Sequence, residues 1–119
     1  MFALLLGLNI LLIPPSKLTV VQTAPTLLPA LLPICTCESG QGTGQPQQFD
    51  IETGDVLHGK IDKDDTGSCQ INARYHLKKS VELGYDIYTE AGNINYANWL
   101  YLKEGVKPWR ASSSCSHAS

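Results

Sequence analysis

Hydrophobic and polar positions divide the chain into an apolar N-terminal part and a mixed remainder. Residues 2–13 are almost continuously apolar, and Pro14 and Pro15 end this run. A bilayer span takes about 20 apolar residues, whereas roughly 12 match the hydrophobic region of an export signal. We therefore interpret residues 1–30 as a signal or membrane anchor followed by a Pro-rich linker. Because no basic residue precedes the run and no clean cleavage site follows it, an uncleaved anchor and a gene start placed downstream of the true one are the alternatives.

The spacing of apolar residues predicts the first domain helix directly after this linker. Proline is poorly accommodated in a helix interior but is allowed in the first turn, so Pro29 and Pro33 exclude one long helix through this region. We predict a helix that begins near Pro29 or Pro33 and ends near Ser39. Its apolar face would contain Leu28, Leu31, Leu32 and Cys35.

A polar hairpin is predicted for the middle of the chain. Residues 39–46 contain no apolar side chain and form a loop. Residues 48–61 read as two strands around a turn in which Gly54 can adopt a positive φ. Residues 62–67 form a second turn that leads into a short third strand, or strand end, at 69–72. This lobe is too polar for a buried sheet, so we interpret it as a wall that presents side chains.

Two helices are predicted for the C-terminal part. The first covers residues 75–83 and ends at Gly84. The second is capped by Thr89 or Asn93 and ends at Gly105. Its two faces would carry different sets: Ile94, Ala97, Leu100 and Tyr101 on one, and Tyr96, Trp99 and Lys103 on the other. Packing in the core is expected of Trp99, Tyr101 and Tyr88.

Together these elements predict an α+β, mainly α, domain over residues 31–115, with a few helices and a small polar β-hairpin. Residues 116–119 are interpreted as a disordered tail. A chain of 119 residues allows one small domain, and so small a core needs covalent staples. We expect a monomer.

The four cysteines supply such staples. Cys35, Cys37, Cys69 and Cys115 include no pair with the two-residue spacing typical of zinc sites, so disulfides are favoured over a metal site. Four cysteines allow three connectivities. Disulfides indicate an oxidising compartment, which makes the protein secreted or part of the cell envelope. His58 and His76 have no metal-ligand partner at a suitable spacing and are interpreted as surface or structural residues.

The charge balance excludes one class of partner. The net charge is −2, and no basic run occurs. Binding to nucleic acid is therefore disfavoured, since phosphate contacts require clustered Lys and Arg. Neither a metal nor a cofactor is expected, and the N-terminal apolar segment could associate the protein with a membrane.

Four motifs follow one another in the domain: Cys37-Glu38-Ser39 at a helix end, Asp65-Thr66-Gly67-Ser68-Cys69-Gln70-Ile71-Asn72 after a hairpin, Gly92-Asn93-x-x-Tyr96-Ala97-x-x-Leu100-Tyr101 on a helix, and Pro108-Trp109-x-x-Ser112-x-x-Cys115. In this order they resemble the lysozyme-like superfamily, in particular small bacterial lytic-transglycosylase (SLT-type) domains and the resuscitation-promoting-factor type. The segment from Asp65 to Tyr75 is also similar to a stretch of animal C-type lysozymes.

This resemblance implies residue roles. Glu38 would be the general acid, and Asp65 falls where C-type lysozymes keep their second carboxylate. Gln70 and Asn72 would bind sugar hydroxyls or N-acetyl groups along a cleft. Two aromatic residues would pack behind the catalytic Glu or against the saccharide, namely Tyr96 and Trp109. The resemblance also implies a Cys37–Cys115 disulfide, which leaves Cys35–Cys69.

Two features depart from the family pattern. The hairpin between Glu38 and Asp65 is longer than in C-type enzymes, and Ser116 follows Cys115 where close relatives often have Trp. Many SLT-type relatives have no functional carboxylate at the second site. Asp before Thr-Gly is also a common turn residue, so Asp65 serves either the turn or the chemistry. Gln70 and Asn72 could likewise serve only backbone hydrogen bonding in the hairpin.

The chemistry explains why such a site needs a protected Glu. Glycosidic cleavage requires a carboxylic acid that is still protonated near neutral pH, and burial against apolar neighbours raises a carboxyl pKa. The expected function is therefore cleavage of the β-1,4 bond between N-acetylmuramic acid and N-acetylglucosamine in peptidoglycan strands, either as a lysozyme or as a lytic transglycosylase. A non-catalytic peptidoglycan-binding module and a membrane-anchored structural protein are the alternatives.

Overall fold

The computed structural model describes residues 25–110 and Cys115. The predicted export signal or anchor within residues 1–24 and the predicted tail at 116–119 lie outside the described residues. Among the residues that are described, no helix is both long enough and apolar enough to cross a membrane.

The described chain is mixed α+β and mainly helical, as the sequence predicted. Its elements, in chain order, are α1 (Leu31–Ser39), β1 (Asp65–Thr66), β2 (Ile71–Asn72), α2 (Ala73–Glu82), α3 (Glu90–Glu104) and α4 (Lys107–Arg110). The two strands pair antiparallel, with Asp65 opposite Asn72 and Thr66 opposite Ile71.

Helix α1 has the predicted extent, but its buried face is shifted. Pro33 lies in the first turn, where the missing backbone N–H costs no helical hydrogen bond. Leu31, Ile34 and Cys35 are buried, whereas Leu32 is 50 % exposed. The prediction that Leu32 belongs to the apolar face is therefore wrong, because the neighbouring elements cover α1 on the side of Ile34.

The predicted strands within residues 48–61 are reduced to isolated bridges. One bridge joins Phe49 to Val56 and another joins His58 to Thr66. Gly54 turns the chain with a φ of 77°, as expected. The regular ladder begins at Asp65, inside the segment predicted to be a turn. The segment 48–61 is mostly polar and exposed, so it lacks the buried side chains that would hold longer strands in register.

Helix α3 is the central element of the core. Thr89 caps it, accepting the Gly92 N–H at 3.1 Å, and Gly105 ends it with a φ of 63°. Tyr96, predicted to lie on the face opposite Ile94, Ala97 and Leu100, is also buried and only 1 % exposed. The reason is that α3 has neighbours on several sides, so buried positions spread around most of its circumference.

The core brings together α1, β2, α3 and α4. Its buried members are Leu31, Ile34, Cys35, Cys69, Ile71, Ile87, Tyr96, Ala97, Leu100 and Trp109. Trp99 and Tyr101 pack against it, half-buried. Tyr88 is 40 % exposed, so its predicted place in the core is wrong. The Asp86–Thr89 connector carries its tyrosine at the surface while Ile87 points inward.

Two disulfides staple these elements, in the pairing that the resemblance implies. Cys35 of α1 is bonded to Cys69 before β2, and Cys37 is bonded to Cys115. Cys35 and Cys69 are fully buried, whereas Cys37 is exposed. The two cysteines of α1 therefore hold partners on different sides of one helix, with Glu38 next to the second.

Candidate functional site

A buried hydrogen bond holds the end of α1 against the β1–β2 turn. Ser39 is 1 % exposed, and its hydroxyl donates to the Ser68 carbonyl at 2.6 Å. The same hydroxyl oxygen accepts the Gln47 N–H at 2.9 Å. Since Ser39 follows Glu38 directly, these contacts set the position of the Glu38 backbone relative to the β1–β2 unit, which includes Asp65.

Two buried side-chain amides form hydrogen bonds with the same turn. Gln48 Oε1 accepts both the N–H and the hydroxyl of Ser68 at 2.9 Å. Asn93 of α3 accepts the Cys69 N–H at 2.9 Å and donates to the Thr66 carbonyl at 2.8 Å. Gly67 lies directly over both amides, with a φ of 73°, and a Cβ there would come within 2.6 Å of them. Only glycine fits this position.

Glu38 lines an open pocket of about 340 Å³, which we call the Glu38 pocket. Glu38 is half-buried and is the penultimate residue of α1, at the negative end of the helix dipole. Asp65 and Gln70, from the β1–β2 unit, line the same pocket. The remaining wall comes from Gln41 and from residues 57–61. The fold thus brings three of the predicted site residues together across one cavity.

A second pocket of about 290 Å³ adjoins the first, because Asp65 and Gln70 line both. Its other lining residues are Asp62, Ile71, Asn72, Tyr75, His76, Leu100, Pro108 and Trp109. We call this the Asn72 pocket, and we call the two pockets together the cleft. Every predicted site residue except Tyr96 and the cysteines lines the cleft.

Asp65 lies where the two pockets meet. Burial raises the pKa of its carboxyl from the ordinary value of 3.8, and the negative charges of Asp62 and Asp64 act in the same direction. The hydrogen bond from Asn72 Nδ2 to Asp65 Oδ1, at 3.0 Å, opposes this shift. Arg74 also opposes it, but its guanidinium lies against Asp64 at 2.8 Å.

Asn72 has an acceptor that the described residues leave open. Its Nδ2 donates to both Asp62 and Asp65 at 3.0 Å. Its Oδ1 is buried and has no hydrogen-bond partner in the described part of the chain. Because a buried carbonyl without a partner costs free energy, Oδ1 lowers the stability of this arrangement.

Gln70 is held in an unusual backbone conformation. Its φ is 49°, in the left-handed region that residues other than glycine rarely occupy. Its side-chain Nε2 donates to the Gly67 carbonyl at 3.0 Å. This contact closes the turn and keeps the Gln70 side chain at the boundary of the two pockets. Gln70 therefore makes a hydrogen bond within the hairpin and also lines the cleft, and its binding of sugar stays a prediction.

The two predicted aromatic residues lie at different depths. Trp109 is 2 % exposed, lines the Asn72 pocket and donates its indole N–H to the Cys69 carbonyl at 2.9 Å. Tyr96 lies behind the wall, with its hydroxyl 2.8 Å from His76 Nδ1. Tyr96 is thus placed to support the cleft from the core, whereas Trp109 contributes to its surface.

Sequence reasoning missed part of the cleft lining. Residues 57–61 were predicted to form a strand, with His58 interpreted as a surface or structural residue, and they line the Glu38 pocket. Tyr75 and His76 line the Asn72 pocket, although His76 was interpreted as a surface or structural residue. Their position just after Gln70-Ile71-Asn72, on the first turn of α2, was the available signal. The hairpin residues carried no such signal.

Metal-binding groups are not assembled in the described part of the molecule. Among residues 25–110 and Cys115, no group of three or more His, Cys, Asp or Glu side chains could hold a metal ion. All four cysteines are in disulfides.

Comparison with known proteins identified no relative. No family model matches the chain, and neither a curated protein nor a solved structure matches it.

Proposed function

We propose that this protein is a peptidoglycan-cleaving glycosidase that acts on the β-1,4 bond between N-acetylmuramic acid and N-acetylglucosamine. The observation that carries this proposal is the placement of Glu38 and Asp65 on one open pocket, from two different elements. Two carboxyl groups flanking a cleft are the usual arrangement for acid-assisted glycosidic cleavage. The motif resemblance, with Glu38 at its centre, points to the same chemistry.

Glu38 is the general acid in this proposal. It protonates the leaving oxygen as the glycosidic bond breaks, so it must carry its proton when the substrate binds. It is half-buried at the C-terminal end of α1, on the wall of the Glu38 pocket. Ser39 and the Cys37–Cys115 disulfide hold the helix end in place on either side of it.

Stabilisation of the positive charge that develops on the sugar can come from two sources. Asp65, ionised, would supply a negative charge from the protein and lead to a hydrolysed product. Alternatively, the N-acetyl group or the 6-hydroxyl of the substrate itself would stabilise this charge, which could give an anhydro product. Burial raises the Asp65 pKa, so Asp65 supplies this negative charge only at a pH above its raised pKa.

The Asn72 pocket accommodates a sugar next to the cleaved bond. Its polar lining includes Gln70 and Asn72, whose amide groups would hydrogen-bond to a sugar hydroxyl or an acetamido group, and the nearly buried Trp109 forms part of its wall. A peptidoglycan substrate places the protein outside the cytoplasm, which agrees with two disulfides in a small domain.

The variant Glu38→Gln tests the catalytic part of the proposal. It keeps the shape of the side chain and removes the proton that is donated, so the rate of peptidoglycan cleavage should fall by roughly a hundredfold or more. Cleavage is measured as clearing of cell-wall suspensions and as released muropeptides. The matched control is Glu82→Gln on the exposed end of α2, which should leave the rate unchanged.

Two outcomes separate the alternatives. A wild-type protein that binds peptidoglycan and releases no muropeptide would be a binding module instead of an enzyme. Full activity of Glu38→Gln would contradict the assignment of the acid. Mass spectrometry of the products then distinguishes a hydrolase, which adds water, from a lytic transglycosylase, which leaves a 1,6-anhydro end.

A further inference from the structure

A histidine–tyrosine pair lies at the wall of the Asn72 pocket. His76 is half-buried on the first turn of α2 and lines this pocket. Its Nδ1 is 2.8 Å from the Tyr96 hydroxyl oxygen, and the two rings meet edge to face with their centroids 5.5 Å apart. The imidazole is thus held from the core side and borders the cleft on the other side.

The burial of Tyr96 decides which atom carries the proton. At 1 % exposure its hydroxyl hydrogen needs an acceptor inside the protein, and His76 Nδ1 is its hydrogen-bond partner among the described residues. Burial, with the negative charge of Glu104, raises the pKa of Tyr96 to about 12, so the hydroxyl keeps its hydrogen. If Nδ1 were protonated, its hydrogen and that of the Tyr96 hydroxyl would both have to lie between the same two atoms, where one hydrogen bond needs only one of them. The hydroxyl therefore donates to Nδ1.

This direction fixes the tautomer of a neutral His76. With Nδ1 accepting, the ring proton is on Nε2. Burial lowers the pKa of His76, against the effect of Glu104, which favours the neutral ring. Within residues 25–110 and Cys115, Nε2 has no hydrogen-bond partner, so its N–H is available to a molecule in the cleft.

His76 offers a ligand in the Asn72 pocket a hydrogen-bond donor. It is four residues from Asn72, on the first turn of α2, and both residues line the pocket. Asn72 Oδ1 is buried and has no hydrogen-bond partner among the described residues, so it does not face the open space of the pocket. A donor suited to a ligand is therefore His76 Nε2–H, and the carbonyl oxygen of an acetamido group is an acceptor that matches it.

We infer that His76 is a specificity-determining residue that binds the acetamido group of an N-acetylated sugar in the Asn72 pocket, and that Tyr96 is the positioning residue that sets its tautomer. This inference rests on the proposed function and adds to it a reason to discriminate acetylated from deacetylated glycan. The sugar without its acetyl group lacks the carbonyl that Nε2–H would bind.

Binding to N,N′,N″-triacetylchitotriose tests the inference, with the fully deacetylated trimer as the comparison. The measurement uses the full chain carrying Glu38→Gln, so that no cleavage occurs during titration calorimetry. His76→Phe should weaken binding of the acetylated trimer by roughly three- to tenfold and leave the deacetylated trimer unaffected. His76→Gln, which supplies an amide donor, should restore most of the affinity and controls for misfolding.

A second measurement needs no glycan. Two-bond ¹H–¹⁵N correlation spectra identify the His76 tautomer, which should be Nε2–H in the protein and should become mixed in Tyr96→Phe. That variant keeps the ring in the core and should also lose a few-fold in affinity for the acetylated trimer. A spectrum of the Nδ1–H tautomer would overturn the inference by itself.

The outcomes separate this inference from the proposed function. Equal affinity of His76→Phe and the parent for the acetylated trimer, with muropeptide release intact in the wild type, would overturn the role of His76 alone. A wild-type protein that neither releases muropeptides nor binds the acetylated trimer would overturn both.

Discussion

At the scale of single residues, the cleft depends on side chains whose polar atoms are partly withdrawn from water. Asp65 is the clearest case, since burial and two neighbouring carboxylates raise its pKa. Asp50 is the opposite case: backbone N–H groups of Thr53 and Glu52 bind its carboxylate and lower its pKa. The Asp65 carboxyl therefore lines the cleft, whereas the Asp50 carboxylate stabilises a turn.

This contrast predicts opposite pH dependences of stability. Because the folded pKa of Asp65 is above 3.8, the folded state binds more protons than the unfolded state in the window above 3.8. The free energy of unfolding contributed by Asp65 therefore falls as pH rises through that window. Asp65→Asn should gain stability relative to wild type between about pH 3 and about pH 6, as measured by urea unfolding.

Asp50→Asn is the matched control. The folded pKa of Asp50 is lowered, so its contribution is present above 3.8 and is lost as pH falls below it. Asp50→Asn should therefore lose stability relative to wild type as pH rises over the same range. If Asp65→Asn followed the same trend as Asp50→Asn, the burial of the Asp65 carboxylate would be contradicted.

At the scale of elements, the β1–β2 unit is too short to hold itself together. Each strand has two residues, and an isolated ladder of that length is not stable in water. It is held instead by buried contacts from three directions: Ser39 of α1, Gln48 of the preceding loop and Asn93 of α3. The position of Asp65 and Gln70 on the cleft follows from these contacts.

Asn93→Ala should therefore destabilise the fold strongly. It removes the buried partner of the Cys69 N–H and one partner each of the Thr66 and Ile87 carbonyls. A buried group left without a partner costs about 1–3 kcal/mol, so loss of the partner of the Cys69 N–H should lower the free energy of unfolding by roughly 1–3 kcal/mol. Chemical denaturation measures this loss.

Asn95→Ala provides the comparison on the same helix. Asn95 is half-buried and makes no hydrogen bond from its side chain within the described residues, so the change should stay within about 0.5 kcal/mol. Similar losses for the two variants would contradict the role of the buried network, since Ala favours a helix more than Asn does at either position.

At the scale of the whole molecule, two disulfides compensate for a small core. The sequence separation is 34 for Cys35–Cys69 and 78 for Cys37–Cys115. Loop-closure entropy alone assigns each about 4 kcal/mol and favours the longer loop by less than ~1 kcal/mol. Burial acts in the other direction, since Cys35 and Cys69 are fully buried and Cys37 is exposed.

Burial should decide the order of stability among serine variants. Replacing Cys35 and Cys69 by Ser places two hydroxyls in the core, at about 1–3 kcal/mol each where no partner is found. This pair of changes should lower the melting temperature more than Cys37→Ser with Cys115→Ser. Thermal unfolding of the two double variants measures the difference, and the reverse order would mean that loop length dominates.

Local sequence signals predicted the features that depend on a few neighbouring residues. The limits of α1, the cap at Thr89 and the ends at Gly84 and Gly105 follow from backbone chemistry within one or two turns. The orientation of side chains was less predictable. Leu32 and Tyr88 were assigned to the wrong environment because burial depends on which distant elements pack against them.

The sequence by itself determined that four cysteines are available for disulfides, where the helices end and which polar residues are candidates for a site. Each of these is set by the type of a residue or by its immediate neighbours. Only the tertiary structure decided that Glu38, Asp65 and Gln70 line one pocket, and that His76 borders the cleft with Tyr96 behind it. The physical reason is that these residues come from separate elements, and buried contacts between distant parts of the chain place them together.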